Sequence, residues 1–235
     1  MKNRHGGTEL SLRLYLNSAR RPRTPDGSAG EWAGFADGTT GIELEAENWP
    51  PLLWWALFGR ADLREARIAD TEDVGTVEHA ELLSQWGDAT YPYLVTDQSA
   101  ALARLRARRP GLAGRLGARY GSVYEEFAAL AEARFGPYVL LRTAALAGDD
   151  GVRPQFERTL ADLERLDAGG AVADGGPVDG LIVDFHRWRQ TDPVWLLSGA
   201  GVGDAWPSAA LRERLAAGAG RRKSGRGGAW SRLLR

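Results

Sequence analysis

The chain contains no cysteine, a single methionine and only two lysines, Lys2 and Lys223, in 235 residues. Without cysteine there is no disulfide, thiol nucleophile, thiolate zinc site or iron–sulfur cluster. No apolar run approaches the roughly 18 residues of a membrane span, and residues 1–11 lack the apolar stretch of a secretory signal. A cytoplasmic protein with no membrane partner is the expectation. The two lysines stand beside 28 arginines, a bias that GC-rich coding produces. Net charge is nearly absent as well, at −1.

The average conceals strong segregation. Residues 1–26 carry +4, 27–97 carry −11, 98–124 carry +6, 125–217 carry −6 and 218–235 carry +6. What the chain does have is apolar mass: 43% of residues are hydrophobic and nine are tryptophan. That suffices for one sizeable core without a covalent staple. We expect a flexible start over 1–8, a single domain over 9–218 and a flexible basic tail over 219–235.

Hydrophobic periodicity assigns the elements. Leu10, Leu12, Leu14 and Leu16 alternate and predict a strand over 9–16, followed by a Pro/Gly/Ser-rich loop over 20–30. Ile42, Leu44 and Ala46 alternate with Glu43, Glu45 and Glu47 in a second strand. Trp49 to Phe58 is apolar all round, and Pro50-Pro51 and Gly59 suit the ends of a short buried helix. A strand is expected over 90–96 and a helix from Gln98, capped by Asp97 and interrupted at Pro110. Ser122 to Glu125 fits a capping box, which would open a helix carrying Phe127 and Leu130. Further strands are expected over 137–146, 181–185 and 194–198, with helices from Pro154 and from Ser208. About six strands and five or six helices result. The predicted class is α+β (α/β being the alternative), a mixed sheet packed with helices.

Candidate sites are few. Asp184 and His186, two apart in an expected strand, would share one face and offer an acid–base pair. Gly199-Ala-Gly201-Val-Gly203 lacks the third glycine of a dinucleotide fingerprint, because Asp204 occupies that place. His79 has no second histidine at zinc-site spacing, so no metal and no cofactor are expected. Glu43, Glu45 and Glu47 cannot all be buried as ions, so their face meets water or a basic partner. Trp54 and Trp55 are about 100° apart on a helix, which aims one at the core and the other nearer a surface or groove. Arg104, Arg106, Arg108, Arg109, Arg115 and Arg119 serve either as partners for the acidic segment or as nucleic-acid contacts. Arg221, Arg222 and Lys223 extend that basic reading into the tail.

Leu14-Tyr-Leu16, the run from Trp49 to Phe58, and Tyr91-Pro-Tyr-Leu-Val95 leading to Arg109-Pro110 together resemble a family of uncharacterised bacterial proteins. Its members are similar to immunity-type or accessory proteins of cytoplasmic toxin systems. The resemblance spans residues 10–115 and implies no catalytic residue. The −11 segment beside the tryptophans favours a non-catalytic module, immunity- or antitoxin-like in one version, that docks a basic protein through the acidic 27–97 surface, using Glu43, Glu45, Glu47, Trp54 and Trp55. An enzyme centred on Asp184 and His186 is one alternative. A nucleic-acid-associated protein using Arg104, Arg108, Arg115 and the tail is the other.

Overall fold

The computed structural model describes residues 12–26, 31, 35, 42–71, 75–202 and 206–224, the last seven by backbone alone. Six strands form one sheet: β1 (Arg13–Ala19), β2 (Glu43–Glu47), β3 (Leu63–Arg67), β4 (Thr90–Asp97), β5 (Tyr138–Arg142) and β6 (Ala200–Gly201). Their spatial order is β3-β4-β5-β1-β2-β6 and every pairing is antiparallel. Eight helices accompany them among the described residues: α1 (Leu52–Trp55), α2 (Thr76–Trp86), α3 (Gln98–Leu116), α4 (Gly121–Arg134), α5 (Val152–Asp167), α6 (Pro177–Trp188), α7 (Pro193–Ser198) and α8 (Ala209–Ser224). The fold is α+β.

Register assigns the two faces of the sheet. Leu16 lies opposite Leu44 on one side and Leu141 on the other, and Leu141 lies opposite Leu94. These residues are completely buried and join the apolar faces of α1 and α3 to α8 in the main core. The reverse face carries Ala19, Tyr91, Tyr93, Val95 and Leu140, with Phe35 packed against them. Beyond that small cluster the same face turns polar, where Tyr15 pairs with Glu45 and Asn17 with Glu43.

Several expectations need correction. β1 runs on through Asn17, Ser18 and Ala19, where a turn was expected, because Ser18 and Ala19 pair with Val139 and Tyr138 of β5. α3 continues through Pro110. The proline removes one helical hydrogen bond, but Leu105, Leu112 and Leu116 hold the helix in the core on both sides of it. α4 begins at Gly121 with Tyr120 in the cap position, which leaves Ser122 inside the first turn. Neither expected strand after residue 180 forms. Pro177 opens α6, and Val178, Ile182 and Phe185 line its buried side at helical spacing. In α7 the Asp192 carboxylate accepts from the backbone N–H groups of Val194 and Trp195, both at 3.0 Å. That cap and Pro193 decide for a helix. α8 reaches Ser224, beyond the expected end of the domain, so the backbone at Arg221, Arg222 and Lys223 is helical. Their side chains, and residues 1–8 and 225–235, lie outside what is described. β3 and β6 had no sequence expectation.

Candidate functional site

An aromatic-lined cleft lies where β2 leaves the sheet. Asn48 adopts φ 64°, a left-handed conformation that asparagine tolerates. Its backbone N–H donates to the Leu12 carbonyl at 2.7 Å, and the Trp49 N–H donates to the Glu47 carbonyl at 2.7 Å. This tight turn sends Trp49 and Glu47 to the same end of the sheet. Pro50 and Pro51 then hold the chain extended into α1.

Opposite that turn, α6 presents Leu181, Asp184, Phe185 and Trp188 at i, i+3, i+4 and i+7, which is one helical face. Trp195 and Leu196 of α7 close the third side. Together they line a cleft of about 250 Å³. Trp188 is 55% exposed, high for so large an apolar side chain. Trp49 and Trp195 are half-buried. Trp49 is braced from behind by Trp55 and Phe156, with ring centroids 5.8 and 5.6 Å away. Among the described residues, neither Trp188 nor Trp195 contacts another aromatic ring, and Glu47 makes no ion pair. Asp184 has one partner, Arg187 at 3.5 Å, in an exposed i,i+3 pair of the kind that contributes little.

No protein-family model, curated protein or solved structure matches the chain. The cleft is therefore read from its own chemistry: an indole-lined hollow with carboxylates on its wall.

The other residues singled out from the sequence resolve one by one. Asp184 and His186 lie on a helix, about 200° apart, and not on one strand face. His186 Nε2 is 2.8 Å from the Arg115 carbonyl, and its Nδ1 faces the Arg189 guanidinium. A carbonyl can only accept and a guanidinium can only donate, so the ring is held as the Nε2–H tautomer. Both nitrogens are occupied, and the acid–base pairing with Asp184 is not made. Among the described residues no group of three or more His, Asp or Glu side chains is arranged to hold a metal.

Trp54 and Trp55 are both completely buried, which corrects their assignment to a docking surface. The Trp54 indole N–H donates to the Ser198 carbonyl at 2.8 Å, while Trp55 packs edge-on against Phe156 at 4.7 Å. A helix of four residues enclosed by α5, α6 and α7 buries every side it has, so angular separation does not bring either ring to solvent.

Five of the six arginines pair with carboxylates of the chain, and Arg119 lies over Tyr120. Arg104 donates to Asp62 at 2.7 Å and to Thr96 Oγ1 at 3.0 Å. Arg108, with no exposure at all, grips both oxygens of Asp167 at 2.8 and 2.6 Å. It also donates to the carbonyls of Ala56 and Phe58 at 3.2 and 2.6 Å. Arg115 bridges Asp174 and Asp179, Arg106 meets Glu132, and Arg109 meets Glu125. Of the acidic row, Glu45 pairs with Arg13 at 3.2 Å, and Glu43 lies beside Asn17 and 3.7 Å from Arg142. Only Glu47, at the end of the row, belongs to the cleft.

The sequence reading missed Trp49, Trp188 and Trp195 as a set. Trp188 and Trp195 lie in segments expected to be loop and strand. The available signal was the helical spacing of Leu181, Asp184, Phe185 and Trp188, which a strand assignment conceals.

Residues 199–202 also find their use. The Val202 N–H donates to the Glu43 carbonyl at 2.9 Å and the Gly201 N–H to the Trp206 carbonyl at 3.1 Å. The first closes the sheet against β2 and the second ties β6 to Trp206, so neither amide is turned toward a phosphate.

Proposed function

We propose that this protein is a non-catalytic binding module that docks a basic protein at the acidic, tryptophan-lined end of its sheet. One observation carries the reading: the cleft gathers three incompletely buried indoles with Glu47 and Asp184, while five of the six arginines from 104 to 119 already pair with carboxylates of the chain. Tryptophan is the side chain most often responsible for binding energy at protein interfaces, and carboxylates on the wall favour a positively charged counterpart. An immunity- or antitoxin-like pairing is one form such docking would take. Within the acidic 27–97 segment, Glu43, Glu45, Asp62 and Glu65 have cationic or amide partners in the chain, and Glu47 is the member that lines the cleft.

Photo-crosslinking tests it directly. A benzophenone side chain placed at position 188 in the native host should form an adduct with a basic protein, and added salt should reduce the yield. The same group at position 77, where Val77 is 70% exposed on α2 far along the chain, should not form that adduct. Equal adducts at both positions, or none at 188, would overturn the proposal.

A further inference from the structure

We infer that the cleft recognises an arginine side chain of the partner: a guanidinium stacked between the indoles and hydrogen-bonded to Glu47 and Asp184. This rests on the binding reading above and names what that site takes.

Three properties of the cleft select among cations. Its walls are chiefly aromatic and aliphatic, so an occupant gives up part of its water. A lysine ammonium is compact and strongly hydrated, which makes that transfer costly, whereas a guanidinium is weakly hydrated and planar. Indole faces attract cations, tryptophan most of all, and a flat guanidinium can stack on them. Finally, carboxylates lie at the cleft, and their lone pairs call for N–H donors. A quaternary ammonium has none to give; a guanidinium has five.

The chain already brings these groups together within itself. Arg142 places its guanidinium carbon 5.3 Å from the Tyr15 ring centroid while a terminal nitrogen lies 3.7 Å from Glu43. Arg119 lies 4.5 Å from the Tyr120 ring centroid. An aromatic face with a carboxylate beside it is thus already filled by arginine on β1, β2 and β5. The cleft at the far end of β2 repeats that pairing of groups with larger rings. Its Asp184–Arg187 contact is an exposed pair that an incoming guanidinium would replace at little cost.

The test uses the full chain, labelled with ¹⁵N, and blocked peptides Gly-Gly-Xaa-Gly-Gly. Xaa is arginine, lysine, trimethyl-lysine or citrulline, the neutral isostere of arginine. The indole N–H signals of Trp188 and Trp195 are assigned from Trp188→Phe and Trp195→Phe variants. The arginine peptide should move those two signals at millimolar concentration. Citrulline should bind about tenfold more weakly, the fold-change equivalent to losing one exposed cation–π and ion-pair contribution. Asp184→Asn should weaken arginine binding several-fold while the rest of the spectrum stays in place. Lysine or trimethyl-lysine binding as tightly as arginine would overturn the inference, as would movement of other indoles only, or no movement. Crosslinking at position 188 separates the two failures. An adduct with a basic protein but no arginine preference sinks the arginine assignment alone, whereas loss of the adduct sinks the docking reading.

Discussion

Two places in this molecule are built from the same groups and put to opposite use. Around Arg108, a carboxylate and two backbone carbonyls converge on a guanidinium that has no contact with solvent. At the β2 exit, indoles and carboxylates line a hollow whose Asp184 meets one described arginine, Arg187, in an exposed pair. A buried ion is tolerable only when its whole complement of partners is present. An incomplete set at the surface costs little, because water completes it until something better arrives. The position of a guanidinium thus separates a fold-holding site from a receptive one, and the chain's near-zero charge reports only the sum of both.

Breaking the interior site should have the largest effect. Arg108→Met leaves Asp167 and the carbonyls of Ala56 and Phe58 without their donor, and should cost about 3–5 kcal/mol in urea unfolding. Adding Asp167→Leu should restore part of it. A loss under about 1 kcal/mol would mean that the interior set is no more demanding than a surface pair, and the contrast would fail.

Next comes the wall shared by the core and the sheet. Gly199 has φ +67°, and a Cβ there would meet the Glu45 carbonyl oxygen at 2.5 Å and Trp54 Cζ2 at 2.6 Å. Gly199→Ala should lower stability by about 2 kcal/mol or more, from backbone strain and overpacking together. Thermal melting against the parent protein reads the effect directly.

At the cleft the expected order reverses. Trp188→Ala should alter stability by no more than about 0.5–1 kcal/mol, since the ring is more than half exposed. Trp188→Ala, which leaves no ring at that wall of the cleft, should nevertheless lose partner docking. A stability loss matching that of Arg108→Met would show that Trp188 is a structural residue, and the division between the two regions would dissolve.

The smallest effect is confined to alkaline solution. Burial pushes the Tyr91 phenol up to about 12, with Arg142 opposing and Tyr93 and Asp70 adding to the shift. Burial raises Tyr124 as well. The folded state therefore keeps protons that the unfolded chain releases near the ordinary value of 10.0. Stability should be unaffected below that pH and fall as pH rises from it toward 12. Ultraviolet titration should show these two tyrosines ionising last, and Tyr91→Phe should flatten the alkaline decline.

Legibility from sequence tracked the kind of neighbour each segment has. β2 was readable because one face meets the core and alternation survives, and β4 because Tyr91, Tyr93 and Val95 alternate on the reverse face. Helices α3 and α5 were readable through spaced apolar residues such as Leu102, Leu105, Phe156 and Leu160. Leu181 to Phe185 misled because a short apolar run carries no period of its own, and only Pro177 and the position of Trp188 argue for a helix. β3 was invisible for a different reason: Leu63-Arg-Glu-Ala-Arg67 is mostly charged, and it becomes a strand by pairing with β4. The candidate site suffered most. Glu47 and Asp184 were each noticed, but 137 positions separate them, and only the turn at Asn48 and the packing of α6 bring them to one cleft. The inward tryptophans at 54 and 55 drew attention by adjacency, while those facing the solvent lie scattered along the chain.

The two outermost strands have a consequence for how any partner must approach. β3 is five residues long, carries Arg64, Glu65 and Arg67, and is closed at both ends by 3-10 turns, Arg60–Asp62 and Ile68–Asp70. β6 is two residues long. Short, charged borders discourage another chain from extending the ladder through its backbone. Among the described residues, then, neither margin invites strand addition, and backbone pairing, which is largely indifferent to sequence, gives way to recognition by side chains. Selectivity toward a partner would rest on what it presents at its own surface.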